Sequence, residues 1–257
     1  MKNAQELTSV SFWDSHWKGT QHEQHPYSGY AGRVWTLIFD QTFASAQPGE
    51  TCIEVGCADS YHLPHLAQHY KLAVSGLDYS VDGCELARAS LRKAGVPGNI
   101  YQCDLFEPKK QLLGQFDFAV SFGVIEHFQD PSTAISAIKL LLKPGGRILT
   151  TTPNVNAQSL NVCVQRIVGP KTLAMHKLMN LSELKQFHEK SGFKTLQCGY
   201  TGMGLCLACD DDGATKRFIS QISYRTVQVA RKCFEIVKCT PPGKRFTGLY
   251  MVYIGQA

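Results

Sequence analysis

No stretch of this sequence approaches the roughly 20 consecutive apolar residues needed to span a bilayer, so no membrane insertion is expected. The N-terminus, MKNAQELTSVSFWDSHW, carries one lysine and no apolar core. It does not read as a secretory leader, and a cytoplasmic location is expected. Low-complexity tracts, internal repeats and long linkers are all missing, which leaves no sign of disorder or of a second domain. Charged residues are sparse at 18%, against 44% hydrophobic, the balance of an ordinary globular chain. The one local cysteine pair, Cys206-Leu-Ala-Cys209, has no second pair to complete the four ligands of a structural zinc site. The ten cysteines therefore read as reduced thiols. His16, His22 and His25 lack a metal-ligand spacing and read as solvated. A net charge of +5 and a pI near 8.6 fall short of the concentrated positive charge of a nucleic-acid-binding domain, and no nucleic acid is expected.

What is present is alternation. Residues 1–48 are helical in pattern and rich in aromatics, among them Trp13, Trp17, Tyr27 and Tyr30. Gln47-Pro48-Gly49-Glu50 ends that segment with a turn signal. Short apolar runs then alternate with helical patterns. Strands are expected at Thr51–Val55, Leu72–Leu77, Ile100–Gln102, Phe116–Ser121 and Arg147–Thr152. Helices are expected at His62–Tyr70, Val81–Ala94 (with Ser80 as cap) and Ser132–Leu142. Five strand–helix repeats imply a parallel sheet covered on both faces. Such a sheet binds ligands at the carboxyl ends of its strands, which puts Asp78, Asp104 and the adjacent Glu126 and His127 on one rim. Beyond it come an insertion at Asn154–Asn180, a helix at Glu183–Ser191, strands at Phe193–Tyr200 and Thr247–Ile254, and a long helical excursion at Thr215–Lys238. That excursion places Ile219, Ile222, Val229, Ala230, Cys233 and Val237 at helical spacing. Lys216, Arg217, Arg225, Arg231, Lys232 and Lys238 fall broadly on the other side. A solvated face is the default for these cations; a membrane-surface contact and a grip on an anionic substrate are the other uses.

The turn after the first strand, CIEVGCADSY, carries no G-x-G-x-x-G. Gly56, Ala58 and Tyr61 hold those positions. Tyrosine fits close helix packing poorly, and Glu54 sets negative charge where a pyrophosphate would lie. A cationic ligand suits this turn better. Here the sequence resembles the class I S-adenosylmethionine-dependent methyltransferases, small-molecule branch, over about residues 50–200. IEVGCADS is similar to their first motif, SGLDYS to the second, YQCDLF to the third, FDFAVSFGVIEHFQDP to the fourth and LLKPGGRILTTTPN to the fifth. NLSELKQFHEKSGFKTLQ resembles the helix and strand that follow. The departures are Ala58 and Ser60, small residues where relatives have glycine.

The resemblance implies a single α/β domain over 1–257. Its sheet is Rossmann-like and doubly wound, mostly parallel with a C-terminal antiparallel hairpin strand. Helices lie on both faces, with an N-terminal helical lid. Residues 1–48 form the cap, 51–152 the cofactor-binding core and 153–257 the acceptor-side insertions and C-terminal strands. S-adenosyl-L-methionine is the implied cofactor. Glu54, Gly56, Cys57, Ala58, Asp78, Tyr79, Cys103, Asp104, Leu105, Ser121, Phe122 and Gly123 are the implied cofactor-binding residues. Asp78 would serve the ribose hydroxyls, Asp104 the adenine amine and Glu54 the amino-acid end. Trp17, Tyr27 and Tyr30 are the candidate substrate-binding residues.

Glu126 and His127 are the candidate catalytic pair. A neutral histidine can take the proton of an acceptor hydroxyl. In some relatives this pair, with a further glutamate three residues earlier, holds a divalent metal. Here that earlier position is Gly123, and a hard cation wants several oxygen ligands, so no metal is expected. The expected function is methyl transfer to a small-molecule acceptor at a hydroxyl oxygen, with an anionic acceptor left open. The Asn/Asp-Pro-Pro-aromatic motif of nucleobase N-methyltransferases is missing. N-methylation of a small amine, a nicotinamide-dependent oxidoreductase on a related fold, and a non-catalytic cofactor-binding subunit remain open.

Overall fold

The computed structural model describes residues 5–20, 27–207, 210, 214–236, 240 and 243–257. His22, His25, Cys209, Val237 and Lys238 lie outside the described residues. The chain begins with helices α1 (Val10–Trp17) and α2 (Gly29–Phe43) and continues as β1 (Thr51–Val55), α3 (His62–His69), β2 (Ala73–Asp78), α4 (Val81–Ala94) and β3 (Gly98–Gln102). Then come β4 (Phe116–Phe122), α5 (Pro131–Lys139), β5 (Leu142–Pro153), α6 (Leu160–Val168), α7 (Pro170–Ala174), α8 (Leu181–Lys190), β6 (Lys194–Met203), α9 (Ala214–Ile236) and β7 (Gly248–Gln256).

The strands form one seven-stranded sheet in the order β3-β2-β1-β4-β5-β7-β6. The first five are parallel, while β7 runs antiparallel between β5 and β6. This is the expected mostly parallel sheet with antiparallel C-terminal strands. The chain reverses its direction of travel across the sheet between β1 and β4, which opens a crevice at their carboxyl ends.

Period-two alternation explains the double covering. Ile53, Ala119, Ile148 and Tyr253 point to one face, against α5 and α8. Their neighbours Cys52, Val120, Leu149 and Val252 point to the other, against α2, α3 and α4. Strands apolar on both sides need helices on both sides. The helices start where caps allow. Ser80 accepts from the Gly83 amide, Asp130 from Ser132, and Asn180 and Glu183 form a reciprocal capping box. Helix α2 packs on the sheet, with Val34, Ile38, Phe39 and Phe43 buried.

The excursion forms α9, and its packing decides which side turns outward. Ile222 and Val229 of α9 face solvent. Phe234 is what packs, stacking on Tyr30 with ring centroids 5.9 Å apart.

One buried histidine fixes an acid limit on stability. His188 donates from Nδ1 to the Leu184 carbonyl at 2.8 Å and accepts at Nε2 from Thr150 Oγ1 at 2.9 Å. Its ring lies 3.7 Å from that of Tyr253. Burial holds it neutral, with its pKa lowered to about 3. As pH falls, the unfolded chain takes up this proton first. The contribution is therefore complete above about pH 6.5 and lost progressively toward about pH 3, at up to about 1.4 kcal/mol per pH unit. Denaturant titrations across this window should show a shallower acid slope for His188→Gln than for the parent. Parallel slopes would mean that His188 does not carry it.

Candidate active site

The turn after β1 needs glycine at one point. Gly56 has φ +74°, and a Cβ there would drive into Val124 Cγ2. The Gly56 and Cys57 amides both donate to the Leu77 carbonyl, at 2.8 and 3.3 Å, so the turn is tied to the end of β2. The first departure from the family glycines, Ala58, is compensated across the site. A Cβ on Gly83 of α4 would lie 2.9 Å from Ala58 Cβ, so the glycine lost at 58 is matched by one at 83.

Ser60 does more than stay small. Its hydroxyl donates to Glu54 Oε2 at 2.5 Å and accepts from the His62 and Leu63 amides at 3.2 and 3.1 Å. One side chain thus ties the acid at the strand end to the first turn of α3. Burial pushes the Glu54 carboxyl up to about 8; the Ser60 bond opposes this and the nearby Asp78 adds to it. Asp78 accepts from the Ala58 amide at 3.0 Å and from the Ser80 amide at 2.9 Å. Its pKa is raised by burial, with these bonds opposing. Asp104 accepts from the Phe106 amide at 2.8 Å.

The N-terminal segment closes this rim through backbone pairing. Leu7 donates to the His127 carbonyl at 2.8 Å, and Gln129 to the Gln5 carbonyl at 3.0 Å. Ser80 donates from Oγ to Asp14 at 2.7 Å, pinning α1 over the start of α4. Trp13 sets its ring edge-to-face with His127 at 5.2 Å.

His127 donates from Nδ1 to the Met175 carbonyl at 2.8 Å, since a carbonyl only accepts. Nε2 is then the lone-pair nitrogen. Burial lowers the His127 pKa to about 4, helped by the neighbouring His176 and opposed by the Met175 bond. Glu126 is buried, and neither carboxylate oxygen has a hydrogen-bond partner among the described residues. Burial raises its pKa to about 8, opposed only by its own backbone amide, which lies too poorly aligned to count as a hydrogen bond. Glu126, His127 and His176 each offer one ligand atom, all within 4.8 Å of one another. His176 lies in the insertion and had no motif to announce it.

These elements enclose a cavity of about 440 Å³. Its lining takes in Glu54, Gly56, Cys57, Ala58, Asp78, Tyr79, Cys103, Asp104, Leu105, Phe122, Gly123, His127 and Trp17. Ser121 and Glu126 lie outside the lining, as do Tyr27 and Tyr30. The Tyr27 ring stacks on His65 at 3.5 Å and its hydroxyl bonds His62 Nδ1. Tyr30 is buried and accepts from the Met203 amide. Sequence reasoning missed Glu6, Thr8, Asp59, Trp35, His62 and Tyr250 in the lining. Only the polar character of Asp59 beside the turn gave a signal for any of them.

Among the described residues the lining holds five acidic side chains, on Glu6, Glu54, Asp59, Asp78 and Asp104, and no lysine or arginine. A pyrophosphate would meet repulsion here, and an anionic acceptor would find no lysine or arginine among the described lining residues. A cationic ligand is favoured. On the far side Trp35 stands 4.4 Å from His62, 5.2 Å from Phe122 and 5.2 Å from Tyr250, forming an aromatic wall.

Comparisons with known proteins agree with this geometry. The chain is 30% identical over 111 residues to a ubiquinone biosynthesis O-methyltransferase of Pseudomonas paraeruginosa, covering 43% of this chain and 47% of that one. It is 31% identical over 142 residues to the enzyme of the same name from Cronobacter sakazakii, covering 53% and 58%. The chain thus spans about half the length of these curated relatives. Among solved structures it resembles phosphoethanolamine N-methyltransferase 2 of Haemonchus contortus in complex with S-adenosyl-L-methionine. That match has a TM-score of 0.59 at 18% identity, over 96% of this chain and 57% of that one. A sarcosine dimethylglycine methyltransferase assignment from Galdieria sulphuraria gives a TM-score of 0.60 at 14% identity, over 96% and 97%. At such identities these two show the fold alone. A family profile described as a methyltransferase domain matches residues 27–198, well over half the chain, and with the Gly56 turn and the acids of its rim in place, this chain belongs to the methyltransferase-domain family.

Proposed function

We propose that the cavity binds S-adenosylmethionine and that the protein methylates a hydroxyl oxygen of a small molecule. The observation that carries this reading is the lining of five acidic side chains, with no lysine or arginine among the described residues. When bound, the cofactor supplies an electrophilic methyl on a sulfonium; in-line displacement by the acceptor oxygen leaves S-adenosylhomocysteine. The chain's own part is placement and proton removal. Asp78 accepts from the ribose hydroxyls while its amide partners Ala58 and Ser80 hold it still. Asp104 takes the adenine amine, and Glu54 orients the amino-acid end. Trp17 closes the cofactor end together with Trp13. Trp35, Phe122 and Tyr250 present an apolar, planar wall to the acceptor. His127 Nε2, kept unprotonated by burial, takes the acceptor proton as the oxygen–methyl bond forms, a weaker base than a free imidazole. The relatives named O-methyltransferases support oxygen as the nucleophile.

The test is thermal melting with S-adenosylhomocysteine and, separately, with a nicotinamide dinucleotide. At about 100 times its dissociation constant the first should add about 2.7 kcal/mol and raise the midpoint by several degrees. A shift with the dinucleotide alone would replace this reading with an oxidoreductase.

A second reading is favoured by the orphaned Glu126 carboxylate. Glu126, His127 and His176 suit a divalent cation: two neutral imidazoles and a carboxylate whose oxygens lack partners. Such an ion would lower the pKa of an acceptor hydroxyl by direct ligation. The two readings compete for the same atom, His127 Nε2, which can be base or ligand but not both.

A further inference from the structure

Helix α9 turns an apolar stripe outward. Phe218 is 61% exposed, Ile222 49%, Val229 65% and Ile236 82%. On a helix of 3.6 residues per turn these four fall within about 40° of one another, a single line down the outer surface. Arg225 and Lys232 are exposed and border the same edge of that line, within about 40° of it. The opposite side is the anchored one. Phe234 stacks on Tyr30, and its carbonyl accepts from Arg33 Nη2 at 3.1 Å. The outward face is therefore set by packing. Over residues 214–236 the sequence carries five basic residues and one acid.

Large apolar side chains in line, bordered by cations and backed by a folded domain, have the pattern of a helix lying in the plane of a membrane interface. Charge selects the occupant. An anionic headgroup layer complements Arg225 and Lys232. A second copy of α9 packed antiparallel about a two-fold axis would instead bring those cations against their own counterparts. No helix among the described residues is long and apolar enough to cross a membrane, so contact would be at the surface. We propose that α9 docks this protein onto anionic lipid bilayers, with Phe218, Ile222, Val229 and Ile236 entering the headgroup–acyl boundary and Arg225 and Lys232 pairing with lipid phosphates. The proposal is independent of the reading of the cavity.

Co-sedimentation of the whole chain with vesicles tests it. Vesicles of equal parts phosphatidylcholine and phosphatidylglycerol should carry the protein down, and phosphatidylcholine alone should not. Added salt should weaken the binding by screening the cations. The double substitution R225Q/K232Q should reduce partitioning about 30-fold, at roughly fivefold per cation. I222S/V229S should reduce it about tenfold or more by removing apolar anchors. Because all four side chains are exposed, both variants should melt at the parent's temperature. Absence of sedimentation with either vesicle, or sedimentation that both variants retain, would overturn the proposal. So would a marked drop in the I222S/V229S midpoint, which would place the stripe inside the fold. A concentration-dependent dimer that I222S/V229S abolishes, without vesicle binding, would give the stripe to a second copy and overturn it equally.

Discussion

Replacing Asp78 with asparagine is expected to weaken S-adenosylhomocysteine binding by about two orders of magnitude or more. Hydrogen bonds to a charged acceptor are worth about 1.5–3 kcal/mol each, so losing the charge behind two ribose contacts costs roughly 3 kcal/mol or more, a factor of at least about 100. The carboxylate has a second duty. Its two oxygens hold the Ala58 and Ser80 amides, and asparagine can satisfy only one of them with its carbonyl. A modest loss of stability, about 1–2 kcal/mol, should accompany the loss of binding. Ser80→Ala separates the two duties. It removes the helix cap and the bond to Asp14 but leaves the carboxylate, and should weaken binding by less than about tenfold. Titration calorimetry on both variants gives the comparison. Equal losses would mean that order in the loops, and not the Asp78 charge, holds the ligand.

Asp78, Asp104 and the Glu126–His127 pair are readable from the sequence because each follows a strand, and strand ends in a parallel sheet share one rim. The period-two burial of Cys52 and Ile53, or of Leu149 and Ile148, is readable for the same local reason. What stays hidden is set by contacts distant in the chain. The pairing of residues 5–7 with 127–129 spans about half the sequence and leaves no pattern in either segment. His176 reaches the rim because the Met175 carbonyl meets His127, 48 residues away in sequence. The Ser60 hydroxyl reads as a tolerated small residue until its three partners are seen together. Spacing predicts that α9 is amphipathic but cannot say which side the domain takes. Stacking of Phe234 on Tyr30 decides that, and it sends Ile222 and Val229 outward.

Replacing Glu126 with methionine is expected to make the metal-free protein more stable and, if a cation serves the reaction, to remove its effect. The two oxygens of Glu126 are buried without partners, and a buried polar group left unpaired costs about 1–3 kcal/mol. Methionine fills a similar volume without that cost, and flexible methionine adapts well to irregular space. The midpoint should rise by roughly 2–4 °C for each kcal/mol regained in a chain of this size. On the cation reading, manganese added to the parent should raise its midpoint by linkage, because the carboxylate and both imidazoles gain a partner. The same addition should leave Glu126→Met unmoved, whatever the acceptor proves to be. If the parent ignores manganese and Glu126→Met turns over normally while His127→Ala does not, His127 Nε2 is a base and Glu126 an isolated buried acid. If Glu126→Met proves less stable than the parent, the carboxyl has a partner in solution and the cation reading loses the observation it rests on.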